Sequence, residues 1–332
     1  MPNQTHNGPQ ARQYSLLLRT ALPAYKYDRR CHQLSGILLC RDWNELYDQE
    51  GRVMRYGLEL PNADVWGNPR GLAELAHIAE EAGWDGVFLE DYIIYYAPGS
   101  TYDPWVILTA MALQTQRIRL GTTVTAVARR RPWKLARELT TLDHLSGGRM
   151  ILGIGLGDEP DFTRFGERAD PKWRAEQLDE SLDILVGLWS GQPFSYQGKH
   201  FSLSEVTFLP PPVQSPRIPI WVGGSSQRRG PVQRAARWDG FLPVQIPVPQ
   251  GVRHLTPEEV RAVKVSIEEQ RTRSTPFDIA LGGLERGVDW EAERAMIKAL
   301  AEAGATWWME WIPVAEMQVM RQAIERGPLR IN

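Results

Sequence analysis

Four strand starts recur at a fixed interval along this chain: Met54, Gly86, Ile118 and Met150, each 32 residues after the one before. That is the length of one strand–helix unit. A chain that repeats strand and helix at this interval lays its strands parallel, because a parallel return needs a crossover long enough to hold a helix. Such a sheet is either open and doubly wound or closed into a barrel, and the interval alone does not choose.

The third unit is the clearest. Ile118, Leu120, Thr122 and Val124 alternate with Arg119, Gly121 and Thr123, a run of strand length. A loop with Arg129, Arg130 and Arg131 follows. Pro132 suits the first turn of a helix, where its missing N–H costs nothing. Leu135, Ala136, Leu139, Leu142 and Leu145 give that helix an apolar face, and Gly147–Gly148 predicts a left-handed stop. Ile151–Leu156 is then almost wholly apolar, as a parallel strand covered on both faces must be. Upstream, Asn68 and Asp103 are predicted helix caps, each followed by proline.

Beyond Gly157 the rhythm breaks. Residues 158–215 read as an insertion holding a polar loop, an amphipathic helix over Arg174–Trp189 and a hairpin-like excursion at Phe194–Phe208. Strands resume at Ile220–Val222, Asp239–Val244, Phe277–Leu281 and Thr306–Ile312, with helices between them and a last helix at Val314–Glu325. Eight units within residues 54–326 favour closure, so the expected fold is a (β/α)8 barrel over 54–332 with an insertion after strand four.

Residues 1–53 are polar and rich in Gln and Arg. They are expected to be poorly ordered or outside the fold, with Met54 a candidate start; a short arm packed on the main domain is the alternative. A formal charge of -2 gives no nucleic-acid footprint, and no apolar run reaches the length of a membrane span. Cys31 and Cys40 both fall in the N-terminal stretch, and a disulfide is not expected. No signal peptide is evident. The expected class is a cytoplasmic enzyme acting on a small molecule, without a metal: no spacing of His, Cys, Asp and Glu suggests one.

In a barrel the chemistry gathers at the C-terminal ends of the strands. Glu59, Glu90 and Asp91 fall there, and one of them becomes a general acid or base if burial raises its pKa. Pairing with the arginines is the other reading. Arg129, Arg130 and Arg131 are candidates for binding phosphate or an acidic substrate, or simply loop charges paired with Glu90 or Asp91. The run Gly153–Gly157 is not a dinucleotide fingerprint, because Asp158, Glu159 and Pro160 follow where a helix should open. Glycines at a strand end instead let a flat ligand approach the backbone. Gly223, Gly224, Ser225 and Ser226 lie between a strand and a helix, the setting of a phosphate cradle.

Several ordered blocks resemble one family. RRPWKLARELTTLDHLSGGRMILGIGLG (130–157), ESLDILVGLWSGQPFSYQGKHF (180–201), PIWVGGSS (219–226), YGLELPN (56–62) and AEEAGWDGVFLEDY (79–92) are similar to the bacterial-luciferase-like flavin-dependent oxidoreductases. The resemblance implies a (β/α)8 barrel carrying reduced FMN, or the deazaflavin coenzyme F-420, at its C-terminal mouth. It implies a two-component monooxygenase fed by a separate flavin reductase as the first reading. The alternatives are an F-420-dependent dehydrogenase or reductase, and a non-catalytic flavin-binding relative. It places Gly223, Gly224, Ser225 and Ser226 at the phosphate, Thr122 and Thr123 against the ring, Gly155 and Gly157 beside it, and Arg164 at a phosphate contact. It makes Glu90 and Asp91 the catalytic candidates and a homodimer the expected assembly. Tyr92 stands where many deazaflavin-using relatives have histidine. Val127–Arg131 lacks the small, proline-flanked residues of the sulfonate monooxygenase branch.

Overall fold

The computed structural model describes residues 54–64, 68–95, 100–249 and 251–331. The expectations for residues 1–53 lie outside these described residues. Eight parallel strands close on themselves. They are β1 (Arg55–Leu60), β2 (Gly86–Leu89), β3 (Arg119–Thr122), β4 (Met150–Gly155), β5 (Ile220–Gly224), β6 (Gly240–Pro243), β7 (Asp278–Leu284) and β8 (Trp307–Trp311). Each pairs with the next; β8 pairs with β1 (Tyr56 opposite Trp308), and β4 with β5 (Trp221 opposite Gly153). The barrel expected from the strand interval is therefore closed.

Helices α1 (Pro69–Glu81), α2 (Pro104–Gln114), α3 (Pro132–Ser146), α4 (Pro171–Trp189), α5 (Arg229–Ala236), α6 (Pro257–Glu268), α7 (Trp290–Ala303) and α8 (Met317–Glu325) follow their strands in turn. Their ends are set by local chemistry. The Asn68 side chain accepts from the Gly71 N–H at 2.9 Å, and Asp103 accepts from Trp105 and Val106. Gly147 ends α3 at φ 67°, a conformation an L side chain rarely adopts. α8 begins three residues later than expected, with Glu316 as its cap. The segment between β4 and β5 holds a short helix at Pro160–Thr163, α4, and an antiparallel hairpin of Pro193–Gln197 with Ser202–Thr207.

The interior of the barrel is filled by rings. Phe88, Trp221 and Trp307 pack together, with centroids 5.2 to 5.7 Å apart, alongside Ile151, Ala280 and Met309. Glycines stand opposite them: a Cβ on Gly240 would meet Trp221 at 2.3 Å, and one on Gly86 would meet Phe88 at 2.7 Å. Large and small residues thus interdigitate, and each buried ring side chain contributes about 2–3 kcal/mol by leaving water. This plug closes the barrel below the strand ends.

Candidate active site

Above the plug, the strand ends surround a cavity of about 740 Å³. A cleft of about 900 Å³ between α7 and the C-terminal tail is wider, but no strand end reaches it. The strand-end cavity is the one built by the barrel, and all eight strands or the loops that follow them position its walls.

Its phosphate-sized corner is the turn after β5. Gly223, Gly224 and Ser225 line it, with Arg228 beside them. A Cβ on Gly224 would meet Pro231 at 2.6 Å and one on Gly223 would meet Val124 at 2.8 Å, so only glycine leaves this backbone open. The Gln227 and Arg228 amides are already spent on Ser225 within the turn. Ser226 lies in the turn but not on the cavity wall. Arg228 escaped the sequence reading; its place two residues past the predicted cradle was the available signal.

The two threonines after β3 separate by one residue of pleat. Thr122 is fully buried in the wall; its hydroxyl donates to the Gly153 carbonyl at 2.9 Å and accepts from Thr125 at 3.0 Å. It therefore does not face a ligand. Thr123 does line the cavity, as do Gly155 and Gly157. A Cβ on Gly155 would meet Val124 at 2.4 Å, so this glycine also serves packing.

The loop arginines are committed elsewhere. Arg129 donates to the Asp91 carbonyl at 2.5 Å and to Asp161 at 2.5 Å, and Arg130 forks both oxygens of Asp91 at 3.0 Å. Asp161 also accepts from the Ile93 amide. This buried network ties the loops after β2, β3 and β4 into one rim. It corrects two expectations. Arg129 and Arg130 are taken up by Asp91 and Asp161 rather than open to an anion, and the Asp91 carboxylate is taken up by their guanidiniums. Arg131 is exposed at the start of α3, and Arg164 is exposed after the short helix; neither lines the cavity.

Of the strand-end acids Glu59, Glu90 and Asp91, Glu59 and Asp91 line the cavity and Glu90 does not. Glu59 lines the floor of the cavity at the end of β1, and among the described residues no cation pairs with it. Its carboxylate reaches across to β7: a Cβ on Gly283 would meet Glu59 Oε2 at 3.2 Å and Gln245 Nε2 at 1.9 Å. Burial pushes its pKa up to about 8, the neighbouring Glu90 charge pushes the same way, and the Thr123 hydroxyl acts against both. Glu90 lies behind it, off the cavity wall. Burial raises Glu90 too, against hydrogen bonds from Tyr95 and Trp311 that favour its anion. Near neutral pH the Glu59 carboxyl thus favours its protonated form. His254 packs on Trp308 with centroids 4.6 Å apart, and burial lowers it to about 4, so it stays neutral.

Similarity to known proteins follows the same outline. A sequence model of the luciferase-like monooxygenase family matches residues 46–319. An F420-dependent glucose-6-phosphate dehydrogenase from Nakamurella multipartita is 31% identical over 254 residues, 73% of this chain and 70% of that protein. Another so named, from Microbacterium testaceum, is 32% identical, and the chain spans about half its length (51%). Among solved structures, an F420-dependent secondary alcohol dehydrogenase in complex with an F420-acetone adduct superposes with a TM-score of 0.67 at 16% identity, covering 84% of this chain and 99% of that one. The monooxygenase RslO1 from Streptomyces bottropensis gives 0.66 at 21% identity, covering 82% and 96%. Fold, strand-end cavity and sequence agree: the chain belongs to the luciferase-like monooxygenase family.

Proposed function

We propose that this chain is an oxidoreductase that transfers hydride between a deazaflavin, coenzyme F-420, and a carbon atom of a small substrate, with Glu59 handling the accompanying proton. The protonated Glu59 facing the cavity carries this reading. A buried carboxyl near neutrality is the group a carbonyl–alcohol interconversion needs. In the reducing direction Glu59 gives its proton to the substrate oxygen; in the oxidising direction its carboxylate takes the hydroxyl proton. The bound deazaflavin supplies or accepts the hydride. The cavity fits such a group: Gly223, Gly224, Ser225 and Arg228 would hold its phosphate, and Thr123, Gly155 and Gly157 would flank its ring. The F420-dependent relative at 31% identity supports the same choice.

A second reading is oxygenation with reduced FMN supplied by a separate reductase. Tyr92 favours it, because the strand-two end carries no histidine for hydride chemistry. There the plugged, narrow cavity would serve to keep water out.

The test is an anaerobic titration of the purified chain with reduced F-420 and reduced FMN, followed by cofactor fluorescence. The expected result is saturable F-420 binding, and its loss in Gly224→Trp with thermal unfolding unchanged. FMN binding alone, with oxygen uptake, would establish the second reading. Full cofactor affinity in Gly224→Trp would overturn the phosphate-site assignment.

A further inference from the structure

The cavity is electrically lopsided. Among the described residues on its wall only Arg228 and Arg234 are basic. Arg234 is forked onto Asp179, with contacts of 2.6 and 2.9 Å. Arg228 sits at the cofactor's phosphate turn. Behind the opposite wall, Arg129 and Arg130 are neutralised by Asp91 and Asp161. Arg174 is turned to the Leu156 and Gly157 carbonyls at 3.1 and 2.6 Å and lies over the Phe162 ring.

Beyond Arg228 and Arg234 the cavity offers carboxyl groups and apolar wall. Glu59 and Asp158 face it, Asp158 accepting from the Tyr92 hydroxyl at 3.3 Å. Leu156, Leu178, Ala280 and Met309 supply the rest. An anion placed there would lose its hydration without gaining a counter-charge, and would feel Asp158 at close range. A hydroxyl or carbonyl oxygen pays neither cost and can share a proton with Glu59.

We propose that the reactive half of this cavity selects an uncharged substrate, an alcohol or its carbonyl partner, and rejects phosphate esters and carboxylates. This rests on the cavity being a flavin-type redox site, and it separates the chain from its relatives named for glucose 6-phosphate.

The test uses the full chain loaded with whichever cofactor it binds, with cyclohexanone as the neutral probe and glucose 6-phosphate as the anionic one. Cofactor fluorescence reports binding of each, without turnover. Cyclohexanone is expected to saturate at concentrations at least about tenfold lower than glucose 6-phosphate. Asp158→Asn is expected to tighten glucose 6-phosphate by about tenfold while cofactor affinity stays within about twofold. Equal or tighter binding of the phosphate ester by the unmodified chain, an unchanged ratio in Asp158→Asn, or silence towards both probes would each overturn the assignment. Failure to bind either cofactor would instead overturn the redox reading beneath it, so the two failures are told apart.

Discussion

Two buried glutamates sit at opposite ends of the barrel and are held in opposite charge states. Glu80, at the C-terminal end of α1, lies at the floor. Burial pushes its carboxyl up, but the Ile118, Arg117 and Gln116 amides donate to it at 2.6 to 3.1 Å, and the net result lies below its ordinary range. Glu59, at the C-terminal end of β1, has the Thr123 hydroxyl in place of such amides, and desolvation pushes it up to about 8. The floor glutamate is an ionised staple that closes the turn into β3. The mouth glutamate is a store for a proton, its protonated form favoured at equilibrium by desolvation and by the Glu90 charge. The contrast shows how donors supplied or withheld set two acids of the same type apart.

The largest expected effect comes from removing the store. Glu59→Gln should lower kcat/KM by about 10²–10⁴-fold while leaving cofactor affinity unchanged, read by steady-state kinetics and fluorescence titration. A variant as active as the original would end the comparison. Removing the staple should do the reverse. Glu80→Ala strands three amide donors and should cost about 2–4 kcal/mol in a denaturant titration, with turnover per folded molecule unchanged. The smallest effect is the pH dependence of stability, and the two residues should show opposite signs. Glu59 holds its proton more tightly when folded, so its contribution is full below about 4.5 and is lost as pH rises towards about 8. Glu59→Gln should therefore gain stability over the original chain across that window and no further above it. Glu80 holds its proton less tightly when folded, so its contribution is full at neutral pH and is lost as pH falls below its ordinary range. Thermal unfolding from about pH 2 to about pH 9 distinguishes the two slopes.

Much of the scaffold could be read from the chain because its signals are local. The 32-residue interval, the Asn68 and Asp103 caps and the Gly147 stop each act over a few residues, and each is found in place. The mouth was legible as a location, since topology puts strand ends there. Which side chains face inward was not. Strand side chains alternate, so Thr122 and Thr123 differ by a single step yet one is wall and the other cavity. Glu90 and Asp91 are likewise neighbours, but Asp91 is taken by arginines 38 and 39 residues away while Glu90 turns to Tyr95 and Trp311. Such partnerships are long-range, and no spacing in the chain announces them. Arg228 carries no periodic signal at all.

The ring plug has a consequence for timing. With Phe88, Trp221 and Trp307 filling the lower barrel, no route into the cavity runs up through the barrel axis. Two molecules that occupy such a cavity together are expected to enter in turn, the deeper one first and last to leave. The three rings, which lie off the cavity wall, would thereby set an order of arrival that initial-rate kinetics with both substrates reads out.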